Sequence, residues 1–175
     1  MGVFASPSVI SCGTWGTAQE VPGTALLNRN GLAAVSSVSC AAAGDCSAGG
    51  SYAPGFGTLP FVVTQANGTW GAASQVQGTT PPGIGGDDGV ASVSCAAAGN
   101  CSAGGDYNNA AGNQAFVVTQ TNGTWGTAEE VLGTAALNTG GDAQVTSVSC
   151  AAAGQCSAGG YYDGSGHQAF VVTER

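Results

Sequence analysis

The chain has 175 residues, of which 43% are hydrophobic and only 7% are charged. Ten carboxylates stand against two arginines, Arg29 and Arg175, and the net charge at pH 7 is −8. This balance leaves no basic surface to neutralise phosphates, so we expect neither nucleic acid nor a membrane as a partner. The hydrophobic content is sufficient for one compact domain with a core, and no stretch is long enough to predict a transmembrane helix.

A unit of 55 residues is repeated three times, which is typical of proteins whose units bury their apolar faces against one another. The repeat predicts a single domain over residues 13–175, with units at about 13–67, 68–122 and 123–175, after an atypical N-terminal segment, 1–12. The many glycines interrupt any helical period and predict short strands joined by tight turns. The marker residues are Trp15, Trp70 and Trp125, then Cys40, Cys95 and Cys150, then Cys46, Cys101 and Cys156.

Six of the seven cysteines form the same local pattern three times, two cysteines separated by Ala-Ala-Ala-Gly and one further residue. Six cysteines allow 15 connectivities, but the threefold repetition favours pairing within each unit. Zinc is a weaker alternative, because the five-residue gap is not a usual ligand spacing and no histidine accompanies the pairs. The predicted disulfides are Cys40–Cys46, Cys95–Cys101 and Cys150–Cys156. They indicate an oxidising compartment, whereas Cys12 is left over as a free thiol or a link to another chain.

Each unit contains four candidate strands. In the third copy, alternation and β-branched residues predict strands at 143–150, 155–161 and 168–174, and the preceding copy supplies a fourth at 123–131. The dipeptides Asn67-Gly68 and Asn122-Gly123 predict tight turns between the third and fourth strands. By the same pattern, the repeat domain is predicted to begin with a fourth strand at 13–21.

The segments Thr64-Gln-Ala-Asn-Gly-Thr-Trp70 and Thr119-Gln-Thr-Asn-Gly-Thr-Trp125 resemble the Asp-box of BNR repeats, with Asn in place of Asp and one residue fewer. The whole unit is also similar to cysteine-containing repeats of secreted bacterial proteins and to the blades of photosystem-assembly-factor-like propellers. The resemblance implies an all-β fold, a β-propeller-type repeat of three four-stranded blades.

Three blades are fewer than the four to eight of a propeller. We therefore expect a homodimer that closes a six-bladed ring, with each N-terminal strand completing a blade of its partner. A β-trefoil, which also has three units of four strands, is the alternative.

Two loop classes differ between copies, at 53–60, 108–113 and 163–167, and at 22–33, 77–88 and 132–142. In a propeller both would emerge on one face. A binding face would vary in this way, although loops also vary without function.

Catalysis is not expected. The single histidine, His167, cannot form a metal pair, and a Ser-His-Asp triad would be confined to one of three equivalent units. Sialidases of the Asp-box group hold a carboxylate with three arginines, and this chain has two. Asp87 and Asp88 are adjacent in a glycine-rich loop, where they are predicted to be solvated or at most to bind Ca²⁺ weakly. No metal site and no cofactor are predicted.

Two functions remain, a carbohydrate-binding or adhesion module and a structural or protein-interaction scaffold without a small ligand. Aromatic rings beside short polar groups favour the first, with a glycan or an extracellular protein as the partner. Residues 1–10 lack a Sec-type signal peptide, so a secreted location implies an export signal of another kind or one outside this sequence. The candidate ligand-binding residues are Tyr52, Asp106, Tyr107, Asn108, Tyr161, Tyr162, Asp163 and His167.

Overall fold

The computed structural model describes residues 13–79 and 86–174, which form three antiparallel sheets. Cys12, which is left over after the six predicted disulfide cysteines, lies outside these ranges. Sheet 1 contains β1 (Ala33–Ala42), β2 (Asp45–Tyr52), β3 (Leu59–Ala66), β4 (Thr69–Trp70) and β5 (Ser74–Gln75). Sheet 2 contains β6 (Gly89–Ala97), β7 (Asn100–Asn109), β8 (Gly112–Thr121), β9 (Thr124–Trp125) and β10 (Glu129–Glu130). Sheet 3 contains β11 (Ala143–Ala152), β12 (Gln155–Asp163) and β13 (His167–Thr173).

Each sheet is a meander in which the strands pair in chain order, and the third long strand also pairs with the short strands that follow it in sheets 1 and 2. The Asn-Gly turns between the third and fourth strands are present as predicted. Asn67 and Asn122 have φ angles of 50° and 49°, the left-handed conformation that such tight turns require. The all-β class predicted from the sequence is confirmed.

The first two strands of every sheet are joined by a disulfide. Cys40 pairs with Cys46 in the strand register and is bonded to it, and the same arrangement recurs in sheets 2 and 3. The three predicted local disulfides are therefore confirmed, and they indicate an oxidising environment.

The predicted fourth strand is shorter and less continuous than its sequence pattern indicates. Residues 123–131 form two two-residue strands, β9 and β10, on either side of Gly126. Residues 13–21 form no strand, and Trp15 is fully exposed. The prediction of a strand at 13–21 is wrong for the single chain, because these residues have no third strand beside them with which to pair. Trp15 is therefore exposed within one chain, whereas its counterparts Trp70 and Trp125 pack against the clusters of sheets 1 and 2.

Two single-turn helices, α1 (Thr24–Leu27) and α2 (Thr134–Leu137), lead from a fourth-strand segment into the next first strand. Thr24 and Thr134 each donate a hydroxyl hydrogen bond back to the residue three positions earlier. In the described part of the chain, no helix has the length and apolar character needed to cross a membrane.

The sheets stack in chain order, sheet 1 on sheet 2 and sheet 2 on sheet 3. Val62 and Val76 of sheet 1 pack with Val90, Val93 and other apolar residues of sheet 2 in one cluster. A second cluster joins sheets 2 and 3 through Ala115, Val131, Val145 and Val148, together with residues beside them. Within the described residues the stack stays open and closes into no ring or barrel. The propeller and the β-trefoil therefore both stay predictions.

Candidate binding site between the second and third sheets

The two variable loop classes lie together at one end of the strands. Asp163, at the end of β12, donates its backbone N–H to Asp142, in the loop before β11. Across the sheet junction, Asn113 donates its backbone N–H to Gly141. The loops of sheet 2 and sheet 3 therefore form one continuous surface, and several of the predicted ligand-binding residues lie on it.

Six side chains at this surface form what we call the junction cluster. Its centre is a contact between the sheets, in which Gln144 Nε2 of β11 donates to Asp106 Oδ1 of β7 at 2.6 Å. Asp106 is only 3% exposed, although it is charged in water, and it is also hydrogen-bonded to Asn113. A buried carboxylate needs such donors, because without them its desolvation would be costly. The cluster consists of Asp106, Asn113, Asp142, Gln144, Tyr161 and His167.

The outer part of the cluster is aromatic and accessible. The rings of Tyr161 and His167 are stacked, with centroids 4.8 Å apart and an angle of 8° between their planes. His167 Nε2 lies 3.8 Å from Asp142 Oδ2, and Asn113 Nδ2 donates to Asp142 Oδ1 at 3.5 Å. The His167 side chain is 63% exposed. The arrangement presents an aromatic pair to solvent beside a carboxylate and an amide.

Burial and neighbouring charge shift the protonation of the cluster. Burial raises the pKa of Asp106 from 3.8 to about 6, with smaller contributions from the charges of Asp88 and Asp142, although hydrogen bonds from Gln144 and Asn113 act in the opposite direction. Burial also raises the pKa of the Tyr161 phenol, as do the charges of Asp142 and Asp106. The site is thus negative at neutral pH and partly protonated below pH 6.

The junction between sheets 1 and 2 has different chemistry at the same repeat positions. Ser51 stands where sheet 2 has Asp106, and its Cβ faces Gly89, the counterpart of Gln144. Thr58 stands where sheet 2 has Asn113. Of the two junctions formed by the described residues, the one between sheets 2 and 3 therefore combines a buried carboxylate with an amide donor and a stacked aromatic pair.

The structure brings together half of the candidate ligand-binding residues. Asp106, Tyr161 and His167 belong to the junction cluster, and Asn108 adjoins it by donating from Nδ2 to Asn113 Oδ1 at 3.1 Å. Asn108 also donates its backbone N–H to Asp88 Oδ1 at 2.9 Å.

The other four candidates have different surroundings. Tyr52 is 2% exposed, packs on Phe61 and donates its hydroxyl to Gln75, so its ring is not available to stack on a ligand. Tyr107 packs edge-on against Phe116 and donates to Glu130. Tyr162 packs against the apolar cluster of sheets 2 and 3, and Asp163 lies beside Gly140 in the loop. The ligand-binding role of the full set stays a prediction, and the geometry concentrates it on the junction cluster.

The pair Asp87 and Asp88 is not uniformly solvated, which corrects the expectation for this loop. Asp87 is exposed, but Asp88 is completely buried and accepts the backbone N–H of Asn108. Thr58 Oγ1, next to β3 of sheet 1, donates to the backbone carbonyl of Asp88 at 2.8 Å, so Asp88 lies between sheets 1 and 2. Over residues 13–79 and 86–174, no group of three or more His, Cys, Asp and Glu side chains is placed to hold a metal ion.

Three members of the junction cluster were missed by the sequence analysis, namely Asn113, Asp142 and Gln144. Asn113 and Gln144 differ in residue type from both of their repeat counterparts, and such departures were the available signal. The three tyrosines at 52, 107 and 162 recur at 55 residues. This recurrence is typical of a common packing role and argues against a ligand-binding role.

No known protein-family model matches the chain, and no curated protein is significantly similar to it. The geometry of the junction cluster therefore carries the functional argument.

Proposed function

We propose that the protein is a secreted, non-enzymatic carbohydrate-binding module, in which the junction cluster is the sugar site. The observation that carries the proposal is the combination of Asp106, Gln144 and Asn113 with the accessible Tyr161–His167 stack. Sugars are held by hydrogen bonds between their hydroxyls and short polar groups, and by packing of their C–H faces on aromatic rings.

The charge of the site favours a neutral sugar. Asp106 and Asp142 lie in one cluster, and the chain as a whole carries a net charge of −8. An acidic sugar would bring a further negative charge next to these carboxylates, which is unfavourable in a partly desolvated site. We therefore expect neutral hexoses or their N-acetylated forms, and no binding of sialylated or uronic-acid glycans.

We further propose that the three sheets are blades of a propeller-type ring completed by a second copy of the chain. The support is the shared meander, the stacking of successive sheets in chain order and the common end at which the variable loops lie. In such a ring each chain would contribute one junction cluster, and two clusters on one face would bind a multivalent glycan more tightly than one.

The test is a glycan-array screen followed by calorimetric titration of the chain with a soluble oligosaccharide that the screen identifies. Tyr161→Ala removes a stacking surface and Gln144→Leu removes one of the two donors to Asp106, so each should weaken binding by about tenfold or more. Tyr107→Phe is the matched control, because its hydroxyl donates to Glu130 and not to the cluster. Binding that is unchanged in the two cluster variants would contradict the proposed site, and an array without saturable binding would favour the scaffold function.

A further inference from the structure

Over residues 13–79 and 86–174, sheet 3 has no counterpart of the short outer strands of sheets 1 and 2. In sheet 2, β9 and β10 pair with β8, with Trp125 opposite Gln120 and Glu129 opposite Val117. The equivalent strand of sheet 3 is β13, which pairs with β12 on one side. Its other edge presents backbone groups of the kind to which an added strand can bind.

Residues 13–22 form the complementary half, a fourth-strand segment without a sheet of its own. Pro22 O accepts a hydrogen bond from Ala73 N of sheet 1 at 2.7 Å. At the repeat-equivalent place, Gln77 O accepts from Ala128 N at 2.7 Å, and Gln77 follows the outer strand of the preceding sheet. Residues 13–22 therefore contact sheet 1 in the same way as the outer-strand segment of sheet 1 contacts sheet 2.

A groove of about 590 Å³ lies between sheets 2 and 3, beside the free edge of β13. Its lining includes Val117 and Thr119 of sheet 2 and Val172 of sheet 3. The equivalent groove between sheets 1 and 2 is lined by Trp125, whose Nε1 donates to Thr64 Oγ1 at 3.1 Å. Thr119 is the counterpart of Thr64, so the groove offers the same acceptor to another indole.

Trp15 is the indole that the repeat supplies for this groove. It is the counterpart of Trp70 and Trp125, and it is fully exposed in the single chain. Residues 13–22 lie against sheet 1, and sheet 1 contacts sheet 2 within the stack, whereas the groove belongs to sheets 2 and 3. The segment that fits the groove, residues 13–22, therefore lies at the other end of the stack. A second copy of the chain can place this segment in the groove.

The two outer faces of the stack are complementary in the same register. A Cβ added at Gly104 would lie 2.5 Å from Val145 Cγ1 of the next sheet, because the valine fills the space that glycine leaves. Gly49 receives Val90 in the same way. Gly159 is the next glycine of the series, and a Cβ there would meet atoms of sheet 3 alone, at 3.4 Å or more. The valine that would fill this place is Val35, which is 47% exposed.

The hydrogen-bonding groups of the two outer faces are also complementary. Ser37 Oγ accepts from Val93 N, and Ser92 Oγ accepts from Val148 N, both at 2.9 Å. The next serine in the series is Ser147, which is exposed on sheet 3. The corresponding amide is that of Val38, on the exposed side of sheet 1.

We propose that sheet 3 of one chain binds sheet 1 of a second copy, and that residues 13–22 of the second copy add to β13 and insert Trp15 into the groove between sheets 2 and 3. Two such contacts close two chains into one ring of six sheets. This inference rests on the ring of the proposed function, but not on carbohydrate binding, since the junction cluster lies within one chain.

The test is native mass by light scattering over a range of concentrations, with Cys12→Ser throughout so that an interchain disulfide cannot hold the copies together. The chain mass is 16.7 kDa, and a dimer of twice this mass is expected. Trp15→Ala should weaken association by about 30-fold or more, as truncation of a buried interface tryptophan does. Phe56→Ala is the matched control, because Phe56 is also an exposed aromatic residue, at 97%, and lies in a loop of sheet 1 away from the groove.

Gly159→Ala separates the docked face from general misfolding. The single chain has space for the added methyl group, whereas the docked Val35 would clash with it as Val145 would with a Cβ at Gly104. The variant should keep the circular dichroism and the disulfides of the parent and be monomeric. A parent chain that remains monomeric, a dimer that both variants leave intact, or larger species that persist in both would each overturn the proposal. Titration of the monomeric variant with the soluble sugar reports on the binding site separately, so failure of one proposal is distinguishable from failure of the other.

Discussion

The inner junctions of the stack and its two outer faces carry valines at equivalent repeat positions, but within one chain a neighbouring sheet covers only those of the inner junctions. Val90 and Val145 are 1% and 0% exposed where a sheet covers them, and their counterpart Val35 is 47% exposed on the outer side of sheet 1. At the other end Val171 is 88% exposed, whereas its counterpart Val62 is 1% exposed. Burial in this protein is therefore a property of the junction and not of the individual sheet, as in other repeat proteins.

The largest contrast is expected between two equivalent phenylalanines, compared in the Trp15→Ala background so that only contacts within the chain count. Phe116 is completely buried between sheets, and Phe170 is half-buried in sheet 3. Phe116→Ala should reduce the free energy of unfolding by about 4 kcal/mol, because it opens a cavity in a packed core. Phe170→Ala should cost about half as much. Urea unfolding measures both, and equal losses would contradict the distinction between inner and outer sheets.

The next contrast is between the junction that contains Asp106 and the junction that has Ser51 at the equivalent position. The folded pKa of Asp106 is about 6, above the ordinary value of 3.8, so the neutral carboxyl is favoured in the folded state. The contribution of the neutral Asp106 carboxyl to the free energy of unfolding is fully present below pH 4 and is lost as the pH rises through 6. The expected loss is about 3 kcal/mol, at about 1.4 kcal/mol per pKa unit.

The test compares Asp106→Asn with the parent chain by urea unfolding between pH 4 and 7. The variant keeps an oxygen that can accept from Gln144 and should lose this part of the pH dependence. Ser51→Asn, at the equivalent place between sheets 1 and 2, is the control and should leave the pH profile unchanged. Parallel profiles for Asp106→Asn and the parent would contradict the assigned titration.

A smaller contrast is expected between two glycines. Gly104→Ala forces a methyl group against Val145 and should cost about 2 kcal/mol of unfolding free energy. Gly159→Ala, again in the Trp15→Ala background, should cost less than about 0.5 kcal/mol, the usual range for a substitution away from packed contacts. A large loss at Gly159 would show that the outer face of sheet 3 is constrained within the single chain.

The smallest contrast concerns one hydrogen bond. Ser37→Ala removes the acceptor of Val93 N and should lower the unfolding free energy by about 1 kcal/mol. Ser147→Ala changes the equivalent hydroxyl on the exposed face and should be close to neutral in a monomeric background. Thermal unfolding of the two variants side by side measures the difference, and a reversed order would contradict the assigned register.

The local features of the fold were predictable because each is specified within one unit. The Asn67-Gly68 and Asn122-Gly123 turns, the three cysteine pairs and the first three strands depend on residues that are close in sequence. The strand at 13–21 could not be decided in this way, because a fourth strand forms only beside a third strand. The same sequence pattern therefore gives paired strands after β8 and an unpaired segment before α1.

The candidate site was predictable only in part, for a related reason. The sequence indicates Asp106 and Tyr161 because they are polar and aromatic residues near loops, but Asp106 is buried by a contact with Gln144, which lies in the next unit. Contacts between units depend on how the sheets stack, and no pattern within one unit encodes them. Recurrence is the better guide, since Tyr52 and Tyr107 recur at 55 residues and pack against apolar residues, whereas most of the junction cluster differs from copy to copy.

Amide hydrogen exchange at Val38 tests most directly the claim that the open ends of the stack match as the inner junctions do. Val93 N and Val148 N, its counterparts, each donate to a serine of the preceding sheet. At concentrations where the chains associate, the Val38 amide should be protected to a degree similar to the other two, and Gly159→Ala should remove that protection while leaving Val93 and Val148 slow. Exchange at Val38 that stays fast in the parent chain at every concentration would contradict the account.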